Sequence, residues 1–112
     1  GSPAHYEGDE QDLCYVKDVA RGLRLLHSAP RLRYRLYNIG SGSPVRSDAV
    51  AGAARKAVPT FDVTLAPGSR PGGRTNVYMD ISRMKRDAGY EPEYDINRGM
   101  GDYIDWLRTH PE

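Results

Sequence analysis

Residues 31–40, RLRYRLYNIG, alternate Leu32, Tyr34 and Leu36 against Arg31, Arg33 and Arg35, then run apolar around Tyr37 and Ile39. Alternation at period two marks a strand, and a continuous apolar run marks one entering a buried sheet. The run ends in the turn Gly-Ser-Gly-Ser-Pro, residues 40–44. Ser47 then offers an N-cap with Asp48 in the first turn, and Val50, Ala51, Ala54 and Val58 line one face of a small-residue helix that stops before Pro59. A strand turning through glycines into a helix sets the class as mixed α/β.

The remaining segments fill out that class. The leading residues 1–11 are polar and carry Gly and Pro, and read as a flexible segment. "LCYV" (13–16) reads as a short strand, followed by a helix over about 17–28 that ends before Pro30. "FDVTL" (61–65) alternates as a strand, 66–75 is a loop, and "NVYMD" gives a very short strand. Asp80 caps a brief helix with Ile81, Met84 and Ala88 on one face and Gly89 at its C′ position. Asp95 caps a last helix with Ile96, Met100, Tyr103, Ile104 and Leu107 facing inward.

With 112 residues the chain is one domain at most. Its net charge of +1 gives no global attraction to nucleic acid or to an anionic membrane. No run approaches the roughly 20 apolar residues of a membrane span. The single Cys14 excludes an intrachain disulfide and a multi-cysteine zinc site, and suits a reducing cytoplasm. Cys14 itself reads as a small buried hydrophobe, and His5, His27 and His110 as solvated residues.

Two stretches invite an anion. In the 40–44 turn, a dinucleotide fingerprint would need a third glycine, yet the register gives Gly40, Gly42 and then Val45, and Pro44 removes a backbone donor. A tight strand-to-helix turn is the better account. The 66–75 loop offers Arg70 and Arg74 among glycines and prolines, with Ser69 and Thr75 beside them. Arginine forks grip phosphate in bidentate fashion, and glycine lets backbone N–H groups approach an anion. Composition alone fits a solvated exposed loop better.

Four stretches in order shift that balance: "YVKDVARGL" (15–23), "YRLYNIGSGSPV" (34–45), the Arg70 loop running into "YMDISRMKRDAGYEP" (78–92), and "GMGDYIDWLR" (99–108). Together they resemble the C-terminal portion of the extended short-chain dehydrogenase/reductases, the NAD-dependent nucleotide-sugar epimerases and dehydratases. The likeness runs over about residues 12–108. It implies a small mixed α/β substrate-binding lobe of a Rossmann-type enzyme, lacking the N-terminal dinucleotide-binding part, with 1–11 leading into a C-terminal region over 12–112. By resemblance, Arg70 matches an arginine that contacts the nucleotide-sugar diphosphate, and Arg74 stands near it. Gln11 and Gly73 depart from the family: many members have an arginine at the first position, and UDP-galactose 4-epimerases have an acidic residue at the second.

The family's catalytic pair is Tyr-x-x-x-Lys, and no Tyr in this chain is followed four residues later by Lys. The resemblance therefore implies NAD in a parent enzyme and none bound by this chain alone, a nucleotide-sugar substrate, and no turnover without the first half. A different reading makes the chain a stand-alone binding module. In a further one the 34–40 strand, which joins the edge of the large sheet in the family, pairs with a second copy to give a homo-oligomer.

Overall fold

Very little of the chain is held by β-ladder. The structure, a computed structural model, describes residues 5–72 and 78–111. Among these, the regular elements are β1 (Glu10–Gln11), α1 (Val16–Ser28), β2 (Val45–Arg46), α2 (Ser47–Ala57), α3 (Ser82–Ala88) and α4 (Ile96–Thr109). The two strands pair antiparallel, Glu10 opposite Arg46 and Gln11 opposite Val45. A lone parallel bridge joins Tyr6 to Ala66. The class is the mixed α/β expected.

The helices follow local sequence signals closely. Asp80 Oδ1 accepts the Ser82 N–H at 2.9 Å before α3. Asp95 Oδ1 accepts the Arg98 N–H at 2.8 Å at the start of α4. Gly89 closes α3 with φ 69°, the left-handed conformation that glycine adopts without strain, and the Tyr90 N–H returns to Met84 O at 3.2 Å. Ser47 is the first helical residue of α2 rather than its cap. The opening N–H groups of α2 are met instead by backbone carbonyls, Ser47 by Asp9 O (2.8 Å) and Asp48 by Glu7 O (3.0 Å).

The expected strands at 13–16, 32–40 and 61–65 are absent, because no neighbouring strand completes their ladders among the described residues. In 32–40 the donors of a ladder are diverted locally. The Tyr37 hydroxyl accepts the N–H groups of Arg33 (3.1 Å) and Tyr34 (3.3 Å) and donates to Asp87 Oδ2 (2.7 Å). Leu36 stays 69% exposed, with Leu32 and Tyr34 also open to solvent. Of the expected strand at 76–80, residues 76–77 lie outside the described residues, and 78–80 are irregular.

The core is small. Ile81, Met84 and Tyr90 are buried, with Leu25, Leu26, Tyr37, Ile39 and Ala88 packed around them. The Tyr90 hydroxyl donates to Gly40 O at 3.0 Å, tying the core to the 40–44 turn. On the other side, α2 packs against α4 with Ala51 and Ala53 buried. The radius of gyration is 16.5 Å and the shortest dimension 20 Å, against about 13 Å for a compact chain of this length. The molecule is a slab of 52 × 40 × 20 Å.

A buried carboxylate joins the two halves of the slab. Asp18, in the first turn of α1, is 1% exposed. Its Oδ1 accepts the Glu93 N–H (3.0 Å) and Arg21 Nη2 (3.1 Å), and its Oδ2 accepts the Tyr94 N–H (3.0 Å). Replacing Asp18 with Ala orphans two amide donors and a guanidinium together. Urea denaturation is expected to show Asp18→Ala losing about 2–4 kcal/mol, with Asp18→Asn losing less because it keeps one acceptor; a loss below about 1 kcal/mol contradicts the role.

Candidate functional site

The Arg70 loop is not an isolated excursion. It runs beside the leading segment, where the Glu7 N–H donates to Ala66 O (2.9 Å), the Ala66 N–H to His5 O (3.1 Å) and the Gly8 N–H to Gly68 O (2.8 Å). Contact is close enough that a Cβ on Gly8 would stand 3.1 Å from Gly68 O. The described part of the leading residues, expected to be flexible, is thus hydrogen-bonded into the fold, and it continues directly into β1.

Asp9 completes the arrangement. Its Oδ1 accepts the Arg70 backbone N–H at 2.9 Å. Its Oδ2 accepts the Tyr6 N–H at 3.3 Å and lies 3.8 Å from Arg70 Nε. These contacts, the Arg70 amide first, hold the Asp9 carboxyl below its ordinary value. Arg70 therefore stands exposed at the head of a loop whose backbone is pinned. Gln11, on β1, donates from Nε2 to Ser47 Oγ at 3.3 Å. Arg74 and Gly73 lie outside the described residues. Asp9 is the residue that sequence reading missed: among Glu7, Asp9, Glu10 and Asp12, nothing local marks one acid as the partner of an arginine 61 positions on.

The 40–44 turn is packed against the core. Gly42 has φ 81°, and a Cβ there would meet Ile81 Cδ1 at 3.0 Å; the space beside Gly40 is taken by Met79, Ile81 and Asp12 Oδ1. The glycines let the turn seat on the core, and a carboxylate in place of a donor is hostile to a pyrophosphate. The turn therefore does not fit the pyrophosphate of NAD.

An open hollow of about 750 Å³ lies between the start of α1, residues 41–46 and α4, lined by Tyr15, Val45, Tyr94, Ile96 and Met100 among others. Arg70 is not on its wall. At its edge the Tyr15 hydroxyl donates to Asp102 Oδ2 (2.6 Å), and Lys17 Nζ reaches the same oxygen (2.7 Å). Tyr15 and Lys17 thus converge on a carboxylate, which ties α1 to α4. Cys14 Sγ lies 3.8 Å from the Tyr90 hydroxyl and burial pushes its thiol up, consistent with an unreactive group. His110 stacks on Trp106 with ring centroids 4.3 Å apart. No group of three or more His, Cys, Asp or Glu suited to a metal ion occurs among the described residues.

No protein-family model matches the chain. Among curated proteins it is similar to Protein CapI of Staphylococcus aureus, 31% identical over 117 residues, covering 86% of this chain and 34% of that protein. It is also similar to UDP-glucose 4-epimerase of Pisum sativum, 26% identical over 106 residues, 90% of this chain and 30% of that one. Among solved structures it superposes on the Bordetella bronchiseptica enzyme WbmF, crystallised with NADH, at a TM-score of 0.80 and 21% identity, over 97% of this chain and 32% of that one. The chain spans about a third of the length of each of these proteins.

The Tyr15–Asp102–Lys17 contact has a pH signature. Burial first, and then the bond donated to Asp102, push the Tyr15 phenol up to about 12. Lys17 first, and then Tyr15, hold the Asp102 carboxyl below its ordinary value. Folding favours the protonated phenol, so this part of the stability is whole below about pH 10 and is lost as pH rises from about 10 to about 12. Tyrosinate absorbance, read as the difference between the unsubstituted chain and Tyr15→Phe, is expected to place the Tyr15 transition near pH 12, and Asp102→Asn to bring it down. A Tyr15 transition near pH 10 in the unsubstituted chain contradicts the geometry.

Proposed function

We propose that the chain is a homologue of the extended short-chain dehydrogenase/reductases that include the NAD-dependent nucleotide-sugar epimerases, and that it forms their substrate-binding C-terminal region. In this reading it works as part of a larger enzyme and does not turn over substrate alone. NAD, when bound by such an enzyme, supplies transient hydride acceptance at a sugar carbon; this chain supplies orientation and charge neutralisation for the substrate. The observation that carries the reading is Arg70, exposed on a loop whose backbone is fixed to the leading segment and to Asp9. A guanidinium on a fixed backbone loses little further chain entropy when it grips a diphosphate.

A nucleotide-sugar substrate is supported by the relatives, one of which is a UDP-glucose 4-epimerase by name. A cytoplasmic setting is proposed from the lone thiol and from the class of reaction; no helix among the described residues is long and apolar enough to cross a membrane. Exposed Leu32, Tyr34 and Leu36 favour a covering element over 32–36. A second copy is a poor one. If two copies paired antiparallel with their apolar faces aligned, arginines 31, 33 and 35 would oppose one another, and like charges directly opposite are unfavourable. We therefore favour a strand from elsewhere in a larger enzyme over a homo-oligomer.

Isothermal calorimetry with UDP, dTDP and GDP tests the reading. Arg70→Ala is expected to weaken each by about tenfold, since the lost charge-assisted contact is to the diphosphate that all three share. Affinity that is unchanged by Arg70→Ala, or the absence of binding to the unsubstituted chain, contradicts it.

A further inference from the structure

Resting on the part of the foregoing reading that lays a strand over 32–36, we infer what that strand carries: acidic residues alternating with apolar ones, docked on residues 31–36 beside α3. All six residues of the stretch are exposed. The Arg33 and Tyr34 N–H groups go to the Tyr37 hydroxyl, and the Leu36 carbonyl accepts Arg83 Nη1 at 3.3 Å. Among the described residues the backbone of 31–36 makes no other hydrogen bond. Open donors and acceptors on an exposed stretch are a template for another strand. Once the stretch is extended, Leu32, Tyr34 and Leu36 share one face and Arg31, Arg33 and Arg35 the other. The occupant therefore needs apolar side chains opposite the first set and carboxylates opposite the second.

The local charge supports the second requirement. Arg31 and Arg35 make no hydrogen bond or ion pair among the described residues. Arg33 Nε stands 3.8 Å from Asp87 Oδ1 with its side chain 74% exposed. From α3, the Arg83 guanidinium lies 3.8 Å from the centroid of the Tyr34 ring, and Arg86 lines with both a hollow of about 460 Å³. The acids of this face are already engaged. Asp87 takes the Tyr37 hydroxyl at 2.7 Å, Asp80 takes the Ser82 N–H, and Glu91 lies 3.7 Å from Lys85. The face is thus cationic in a chain whose net charge is only +1. Nucleic acid or an anionic lipid surface would also meet the arginines. Neither supplies backbone partners in register with apolar residues at every second position, and an acidic strand supplies both.

Amide chemical-shift titrations with acetylated hexapeptides test this. The probe alternates glutamate and valine, and its controls are the glutamine–valine and lysine–valine peptides. The expected result is shifts in residues 31–36 and α3, with the glutamate peptide bound about tenfold tighter than the glutamine one at low ionic strength, and the difference shrinking at high salt. The lysine peptide is expected to bind weakest. Arg31→Gln combined with Arg35→Gln changes two side chains that hold nothing in the fold, and is expected to bring the glutamate and glutamine peptides within about twofold of each other. If both peptides bind 31–36 equally well in the unsubstituted chain, the acidic preference is overturned and the covering strand stands. If neither reaches 31–36, both fall, while the nucleotide-sugar reading is decided separately by Arg70→Ala. Tighter binding of oligothymidylate or of phosphatidylserine vesicles to the same residues, lost in the double variant, also overturns the acidic strand.

Discussion

The architecture depends on aspartates that grip backbone amides far along the chain. Between residues 9 and 18, three carboxylates each take an N–H from a distant segment: Asp9 from Arg70, Asp12 Oδ2 from Met79 at 3.1 Å, and Asp18 from Glu93 and Tyr94. A fold with so short a ladder needs another way to satisfy loop amides, and charge-assisted bonds are stronger than neutral ones. These three contacts set where the Arg70 loop, the approach to α3 and the approach to α4 stand relative to the first turn of α1. The aromatic and sulfur-bearing core of Tyr90, Met84 and Ile81 then packs between them.

That design explains the slab. Carboxylate-to-amide contacts pin loops without burying much apolar surface, so the chain is held together while Leu32, Leu36 and Val16 remain open to water. Part of that exposure falls on the 32–36 stretch, where the sequence pattern asks for a strand, and part on α4, where Tyr103 and Leu107, read as facing inward, are exposed together with Trp106. The same pattern that reads as a buried strand is thus left without its sheet, and Tyr37 folds its hydroxyl back to take two of the ladder's donors.

What was legible in the residues is what depends on neighbours in sequence. Asp95 caps α4 and Gly89 closes α3 as read, while Asp80 stands one residue ahead of the N-cap of α3, Ile81, and takes the Ser82 N–H from there. The α1 helix is also where its periodicity sets it. Strands were misread because period two signals a face, not a partner; the real ladder, Glu10–Gln11 with Val45–Arg46, has no alternation to betray it. For the proposed site, Arg70 rests on family resemblance and on the glycine-rich loop around it. Its pairing with Asp9 is not legible, since nothing local distinguishes one acid among the four of the leading segment. The glycines at 40 and 42 resembled a phosphate loop in sequence, and only the packing of Ile81 against them shows what they serve.

The central question is where a nucleotide sugar would touch this chain if it binds one as proposed. Amide chemical-shift mapping during a UDP-glucose titration answers that most directly. The account predicts the largest shifts in residues 6–11 and 66–72, flanking Arg70 and Asp9, with little change in 40–44. Shifts concentrated at the 40–44 turn, or in the hollow beside Tyr15 and α4, would contradict it.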